Sequence, residues 1–170
     1  FLDEIWLEDY VKMGMVVGKN CSIQPGVVID YPHCWLIKIG NNVTIAPQVY
    51  LLAHDASTKR IINFTKIGSI TIEDNVFIGA RALIMPGVTI GKNSIIGAGS
   101  IVTKSIPADS VAVGNPAKVV KSVDEYIKSN QILLTNSRKY DASYTHEGHI
   151  MLEQKYRMYQ ELSNEIGFVL

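Results

Sequence analysis

The sequence predicts an all-β fold, a parallel prism wound from six-residue segments, and three observations predict it. Isoleucine or valine recurs every sixth residue at Ile72, Ile78, Ile84, Ile90, Ile96 and Val102, a period that fits neither an amphipathic helix nor an alternating strand. In four of the five segments the fourth place holds Asn75, Gly87, Asn93 or Gly99, residue types that take a positive φ at low cost. Pro86-Gly87 is the expected centre of a type II turn. Each segment is then a short extended piece followed by a corner. Three make a triangular coil, and stacked coils pair through parallel ladders roughly 4.8 Å apart.

The same frame runs backward through 17–22, 23–28, 39–44 and 45–50. Two blocks of coil result, about 17–56 and 72–107, interrupted near 31–38 and at 57–71. Periodicity leaves the handedness open, because ordinary parallel crossovers are right-handed. Before the first coil, residues 3–14 carry early acids, apolar residues at helical spacing and a terminal Gly14. They read as a short helix capping the open ladder edge, with Trp6 or Tyr10 as the alternative, a stacking surface for a ligand ring. Cys21 falls at an inward fifth place, where a thiol packs as a small apolar group. Cys34 stands beside His33 in the first insertion, and two ligands do not close a zinc site.

The first block ends irregularly. Its last segment, Leu51-Leu52-Ala53-His54-Asp55-Ala56, puts an imidazole at the corner and a carboxylate where a small apolar side chain belongs, and a polar, basic loop follows at once. Local rules broken inside a regular repeat point to a functional site, and long insertions on repeat scaffolds are often binding loops. His54 is therefore the candidate base. His146 and His149 lack this context and read as an exposed helix start. No third histidine is placed to complete a three-histidine zinc set, so no metal is expected.

The sixth place of each segment points outward, yet it holds Phe77, Leu83, Ile95 and Ile101. A soluble monomer rarely leaves such a patch bare, so a partner subunit is expected. Sixteen basic and sixteen acidic residues cancel, which speaks against a general nucleic-acid or acidic-membrane surface. No apolar run approaches a membrane span and no secretory signal is visible, so the cytoplasm is expected, with a removed leader left open by the start at Phe1.

From Val17 to Lys121 the chain resembles the hexapeptide-repeat acyltransferases, in particular galactoside, maltose and capsular-sugar O-acetyltransferases. The resemblance is carried by Pro86-Gly87-Val88-Thr89-Ile90-Gly91, by Ile96-Gly97-Ala98-Gly99-Ser100-Ile101-Val102-Thr103-Lys104 and by Gly114-Asn115-Pro116-Ala117-Lys118. It implies a left-handed β-helix over 17–121, preceded by a cap at 1–16 and followed by a helical extension at 122–170. It further implies a homotrimer with sites between subunits and acetyl-CoA as the acyl donor. By motif, coenzyme A contacts fall to Gly79, Ala80, Gly97, Ala98, Thr103, Lys104, Asn115, Lys118 and Lys121. Where some relatives carry serine this chain has Ala80, so oxyanion stabilisation would rest on a backbone N–H.

The resemblance also places the catalytic histidine just before the 57–71 loop, at His54, and an acceptor-holding acid near Asp30. Asp55 either orients the imidazole or binds the acceptor. The expected reaction is direct acetyl transfer from acetyl-CoA to a sugar hydroxyl, on a cell-surface polysaccharide precursor more than on a free galactoside. N-acetylation of an amino sugar or antibiotic, and a non-catalytic scaffold, are the alternatives. In the tail, helices are expected at about 123–135 and 147–165, the second burying Met151, Leu152, Tyr156, Tyr159 and Leu162 on one face.

Overall fold

A computed structural model of the protein describes residues 7–170. The chain divides into two compact units, the first ending at Val123 and the second running from Asp124 to Leu170.

In the first unit, helix α1 (Leu7–Lys12) precedes the coils. The part of the expected cap at residues 1–6, with Trp6, lies outside the described residues. Tyr10 and Met13 pack against the core, and the Tyr10 ring meets Tyr31 edge-on at 6.1 Å. The first coil is β1 (Val16–Val17), β2 (Ser22–Ile23) and β3 (Val28–Ile29); the second, after a 3-10 turn at Tyr31–Leu36, is β4 (Ile37–Ile39), β5 (Thr44–Ile45) and β6 (Tyr50–Leu51). The chain then leaves as an arm: β7 (His54–Asp55), α2 (Lys59–Ile62) and β8 (Lys66–Ile67). It re-enters through β9 (Ile70–Ile72), β10 (Phe77–Ile78) and β11 (Leu83–Ile84), and continues as β12 (Thr89–Ile90), β13 (Ile95–Ile96) and β14 (Ile101–Val102). A closing hairpin, β15 (Ser110–Gly114) and β16 (Ala117–Ser122), covers the last coil.

Every third strand joins the same sheet. The first face is β1-β4-β9-β12, the second β2-β5-β10-β13-β15-β16, and the third β3-β6-β11-β14. All pairs are parallel except β15 with β16. The six-residue period is thus the repeat of a three-sided column. Its interior is a stack of fully buried branched side chains, among them Ile39, Ile45, Leu51, Ile72, Ile78, Ile84, Ile90 and Ile96. Each contributes roughly 1.5–3 kcal/mol relative to exposure.

Corners obey the period as well. Asn20, Asn42, Asn75 and Asn93 all have φ between 56° and 60°, and Asp109 has 57°. Their side chains form a ladder from coil to coil, each amide donating to the next carbonyl: Asn20 to Asn42 at 3.3 Å, Asn42 to Asn75 at 3.1 Å, Asn75 to Asn93 at 3.0 Å, and Asn93 to the Asp109 carboxylate at 2.7 Å. Asparagine supplies both the tolerated backbone conformation and the stacking bond.

The second unit holds α3 (Val123–Asn136, whose first residue closes the first unit), β17 (Arg138–Tyr140), α4 (Leu152–Glu161) and β18 (Gly167–Val169), with β17 and β18 paired in parallel. Neither strand was expected, and the expected inward face of α4 is corrected. Met151, Leu152, Tyr156 and Tyr159 are exposed, whereas Gln154, Met158, Glu161 and Leu162 are half-buried. Polar anchors set the helix rotation: Glu161 accepts from the buried Tyr140 hydroxyl at 3.0 Å and from Arg157 at 2.9 Å. His146 and His149 lie in the turn before α4, with His149 at φ 57°, and not on a helix.

Candidate active site

Both interruptions of the repeat leave from the same corner, the one between the third and first faces, in successive coils. The 3-10 turn follows β3 and the arm follows β6, and β3 and β6 are ladder neighbours with Ile29 opposite Leu51. Asp30 and Leu52 therefore hold equivalent places one coil apart, and the Asp30 N–H donates to the Leu51 carbonyl at 3.0 Å. At the regular version of this corner, Pro86-Gly87, glycine turns the chain at φ +83°. His54 occupies the place of that glycine but stays extended, and β7 runs outward against β8 with His54 opposite Ile67. The returning chain is hooked by Gly68, whose N–H donates to the Ala53 carbonyl at 3.0 Å.

This stacking brings Asp30 onto the imidazole. Asp30 Oδ2 accepts from the Ala53 N–H at 2.8 Å and lies 2.6 Å from His54 Nδ1. A carboxylate only accepts, so Nδ1 carries the hydrogen and Nε2 keeps its lone pair. The Asp30 side chain is wholly buried, while that of His54 is 28% exposed. The pair has the form of an oriented general base, a buried carboxylate behind a partly exposed imidazole.

Asp55 does not take the orienting place. Its carboxylate accepts from the Ser57 N–H at 2.9 Å and from Lys66 Nζ at 3.1 Å. Those bonds, the Ser57 backbone N–H foremost, hold its carboxyl down to about 2. As neighbours on an extended segment, His54 and Asp55 point to opposite sides, and Asp55 closes the root of the arm. Asp30, expected beside an acceptor, has its carboxylate enclosed and turned to the imidazole instead.

His33, from the 3-10 turn, lies alongside, its ring centroid 5.1 Å from that of His54 and 5.6 Å from that of Trp35. Sequence reasoning weighed His33 only beside Cys34, and it passed over the link from Asp30 to His54. The available signal was the shared phase of the two interruptions. Cys34 is fully buried, its thiol donating to the Tyr10 carbonyl at 3.8 Å and pushed up by that burial.

The residues expected to hold coenzyme A fall on two corners and the closing hairpin. Gly79-Ala80 and Gly97-Ala98 stack at the corner between the second and third faces, where Gly99 N–H donates to the Ala80 carbonyl at 2.8 Å. Their smallness has a packing cause: a Cβ on Gly79 would lie 2.5 Å from Ala98 N, and one on Gly97 2.7 Å from Val113 Cγ1. Thr103 and Lys104 are exposed beyond β14, on the same corner as His54 but in a later coil. Asn115 turns the closing hairpin, and Lys118 and Lys121 stand exposed on β16.

Residues 69–104 match the family model described as the hexapeptide repeat of succinyl-transferase. A Staphylococcus aureus (strain MRSA252) protein named as an acetyltransferase is 41% identical over 136 residues, covering 66% of this chain and 67% of its own length. The crystal structure of a maltose O-acetyltransferase from Clostridium difficile 630 superposes with a TM-score of 0.55 at 31% identity, over 72% of this chain and 78% of that one. A galactoside acetyltransferase in complex with coenzyme A gives a TM-score of 0.55 at 37% identity, over 71% of each chain.

Proposed function

This chain belongs to the hexapeptide-repeat acetyltransferases, and from that premise we propose that it moves an acetyl group from acetyl-CoA to a sugar hydroxyl with His54 as general base. The observation that carries this reading is the Asp30–His54 pair, set where the repeat breaks, with the His54 side chain 28% exposed. Similarity to proteins named as maltose and galactoside acetyltransferases supports a sugar acceptor, and the coenzyme A complex of one of them supports the donor.

His54 Nε2 takes the proton of the acceptor hydroxyl as its oxygen attacks the thioester carbonyl. Asp30 stabilises the imidazolium that forms. The tetrahedral intermediate then collapses, the C–S bond breaks, and the imidazolium returns its proton to the departing thiolate. One acetyl ester and one free thiol result. Lys118 and Lys121 suit the phosphates of coenzyme A, and a backbone N–H at Ala80 serves the developing oxyanion.

In this reading the column winds left-handed and assembles as a homotrimer with sites between subunits. Support for the assembly comes from an outward ladder on the third face, Val28–Tyr50–Leu83–Ile101, which is apolar at every rung. The neighbouring second face adds Phe77 beside Ile95. The first face carries Lys38, Thr71 and Thr89 at the matching places.

The test is thiol release from acetyl-CoA across a panel of sugars and amino sugars, with coenzyme A binding followed by calorimetry. Acceptor-dependent thiol release with sugars lacking an amine is expected. Release with amino sugars alone would assign N-acetylation, and absence of coenzyme A binding would leave a scaffold.

A further inference from the structure

The sequence alone offers no complete set of metal ligands, but folding assembles one. Asp30, His33 and His54 each present a donor atom, and these atoms lie within 4.8 Å of one another. Two of the polar atoms in this cluster, Asp30 Oδ1 and His33 Nδ1, are buried with no hydrogen-bond partner among the described residues. They face each other at 3.9 Å, too far for a hydrogen bond and close to twice the roughly 2.0–2.1 Å of a zinc–nitrogen or zinc–oxygen bond. The Asp30 side chain is entirely buried, so its free oxygen does not reach bulk solvent. The His33 and His54 side chains are 25% and 28% exposed, which leaves a solvent side by which an ion enters and keeps a water ligand.

We propose that Asp30, His33 and His54 form an inhibitory site for a divalent transition-metal ion of the zinc class. Two imidazoles and one carboxylate match the borderline-soft preference of zinc and leave a fourth place for water. The ion bonds Asp30 Oδ1, His33 Nδ1 and His54 Nδ1, replacing the hydrogen bond from His54 Nδ1 to Oδ2. The displaced hydrogen moves to Nε2, so no net proton is gained or lost. His54 Nε2 is then a donor and cannot accept the acceptor's proton. Metal binding rests on the three side chains alone; the inhibition rests also on His54 being the base.

Metal-free protein is titrated with Co²⁺ and the visible absorption of the bound ion is followed, with Zn²⁺ as competitor and acetyl transfer measured in parallel. One Co²⁺ per chain, displaced by Zn²⁺, is expected. His33→Gln and His54→Gln should each weaken binding by at least about tenfold. Zn²⁺ should suppress wild-type transfer, while His33→Gln, measured against its own metal-free rate, resists it. No stoichiometric uptake, or uptake unchanged in both variants, would overturn the site. Tight, His33-dependent uptake that leaves transfer at its metal-free rate would overturn the inhibition and the base assignment together, with the metal site intact.

Discussion

Asn75 and His54 hold the same place in their six-residue segments, yet one corner closes the coil and the other releases the chain. At Asn75 the backbone turns at φ 60°, and the side-chain amide links the coils on either side. At His54 the backbone stays extended, the chain departs as an arm, and the side chain meets Asp30 from the coil before. The comparison separates two duties. A corner that obeys the period is committed to stacking, and its residue type is fixed by backbone conformation. A corner that breaks the period has no stacking duty, so its side chain is free to be chosen for reactivity.

The largest effect that sharpens this division is expected from His54→Ala. Turnover should fall by about 10²–10⁴, the range of acid–base assistance, while coenzyme A affinity by calorimetry and the thermal midpoint stay near wild type. A lowered midpoint with retained turnover would make His54 a structural corner like the others. Asp30→Asn should follow with a smaller loss, on the order of 10² in turnover. An amide in that place offers one carbonyl oxygen to the Ala53 N–H and His54 Nδ1–H and sets an NH₂ against the ring.

Asn75→Ala should reverse the pattern. An alanine at φ 60° costs about 1–2 kcal/mol, and the rungs to Asn42 and Asn93 are both lost, so the urea midpoint should fall while turnover per folded molecule stays constant. A turnover loss larger than the stability loss would blur the two duties.

The smallest effect concerns Asp55. Its carboxyl is held down to about 2, first by the Ser57 N–H, then by the Ser57 side chain and Lys66, below the roughly 3.9 of an unfolded aspartate. A lowered folded value means the contribution is full above about pH 4 and is lost as pH falls toward 2. An NMR titration of the Asp55 carboxyl should show that midpoint in wild type. Lys66→Met should move it upward, with transfer near neutral pH little changed.

Much of the column was legible because its period is short and each place has one physical demand: branched and inward at the first, positive φ at the fourth, small and inward at the fifth. Gln48 and Arg81 also turn at φ 62° and 60°, so stacking forces the conformation even on residue types that do not favour it. His54 stood out as the violation of that rule. Its partner did not, because Asp30 is 24 residues away and the two insertions hide the register that stacks one corner on the other. Weighing Asp55 as one candidate for orienting the imidazole followed sequence adjacency, whereas in a coil the relevant neighbour is the residue one turn away.

Beyond Val123 the sequence was less telling. One helix was readable from Ser122 and the acids of its first turn and the other from apolar spacing, but the rotation of α4 is set by Glu161 bonding Tyr140 and Arg157, a polar choice that hydrophobic periodicity does not register. The three-residue strands β17 and β18 are too short to carry a period of their own.

The central claim is that Asp30 acts through His54, and a double-mutant cycle on turnover tests it most directly. If the carboxylate serves only to orient and stabilise that imidazole, Asp30→Asn placed on His54→Ala should cost nothing further, because the group it positions is gone. Losses that multiply, each variant subtracting its full effect from the other, would contradict the account and assign Asp30 a contact of its own with the acceptor.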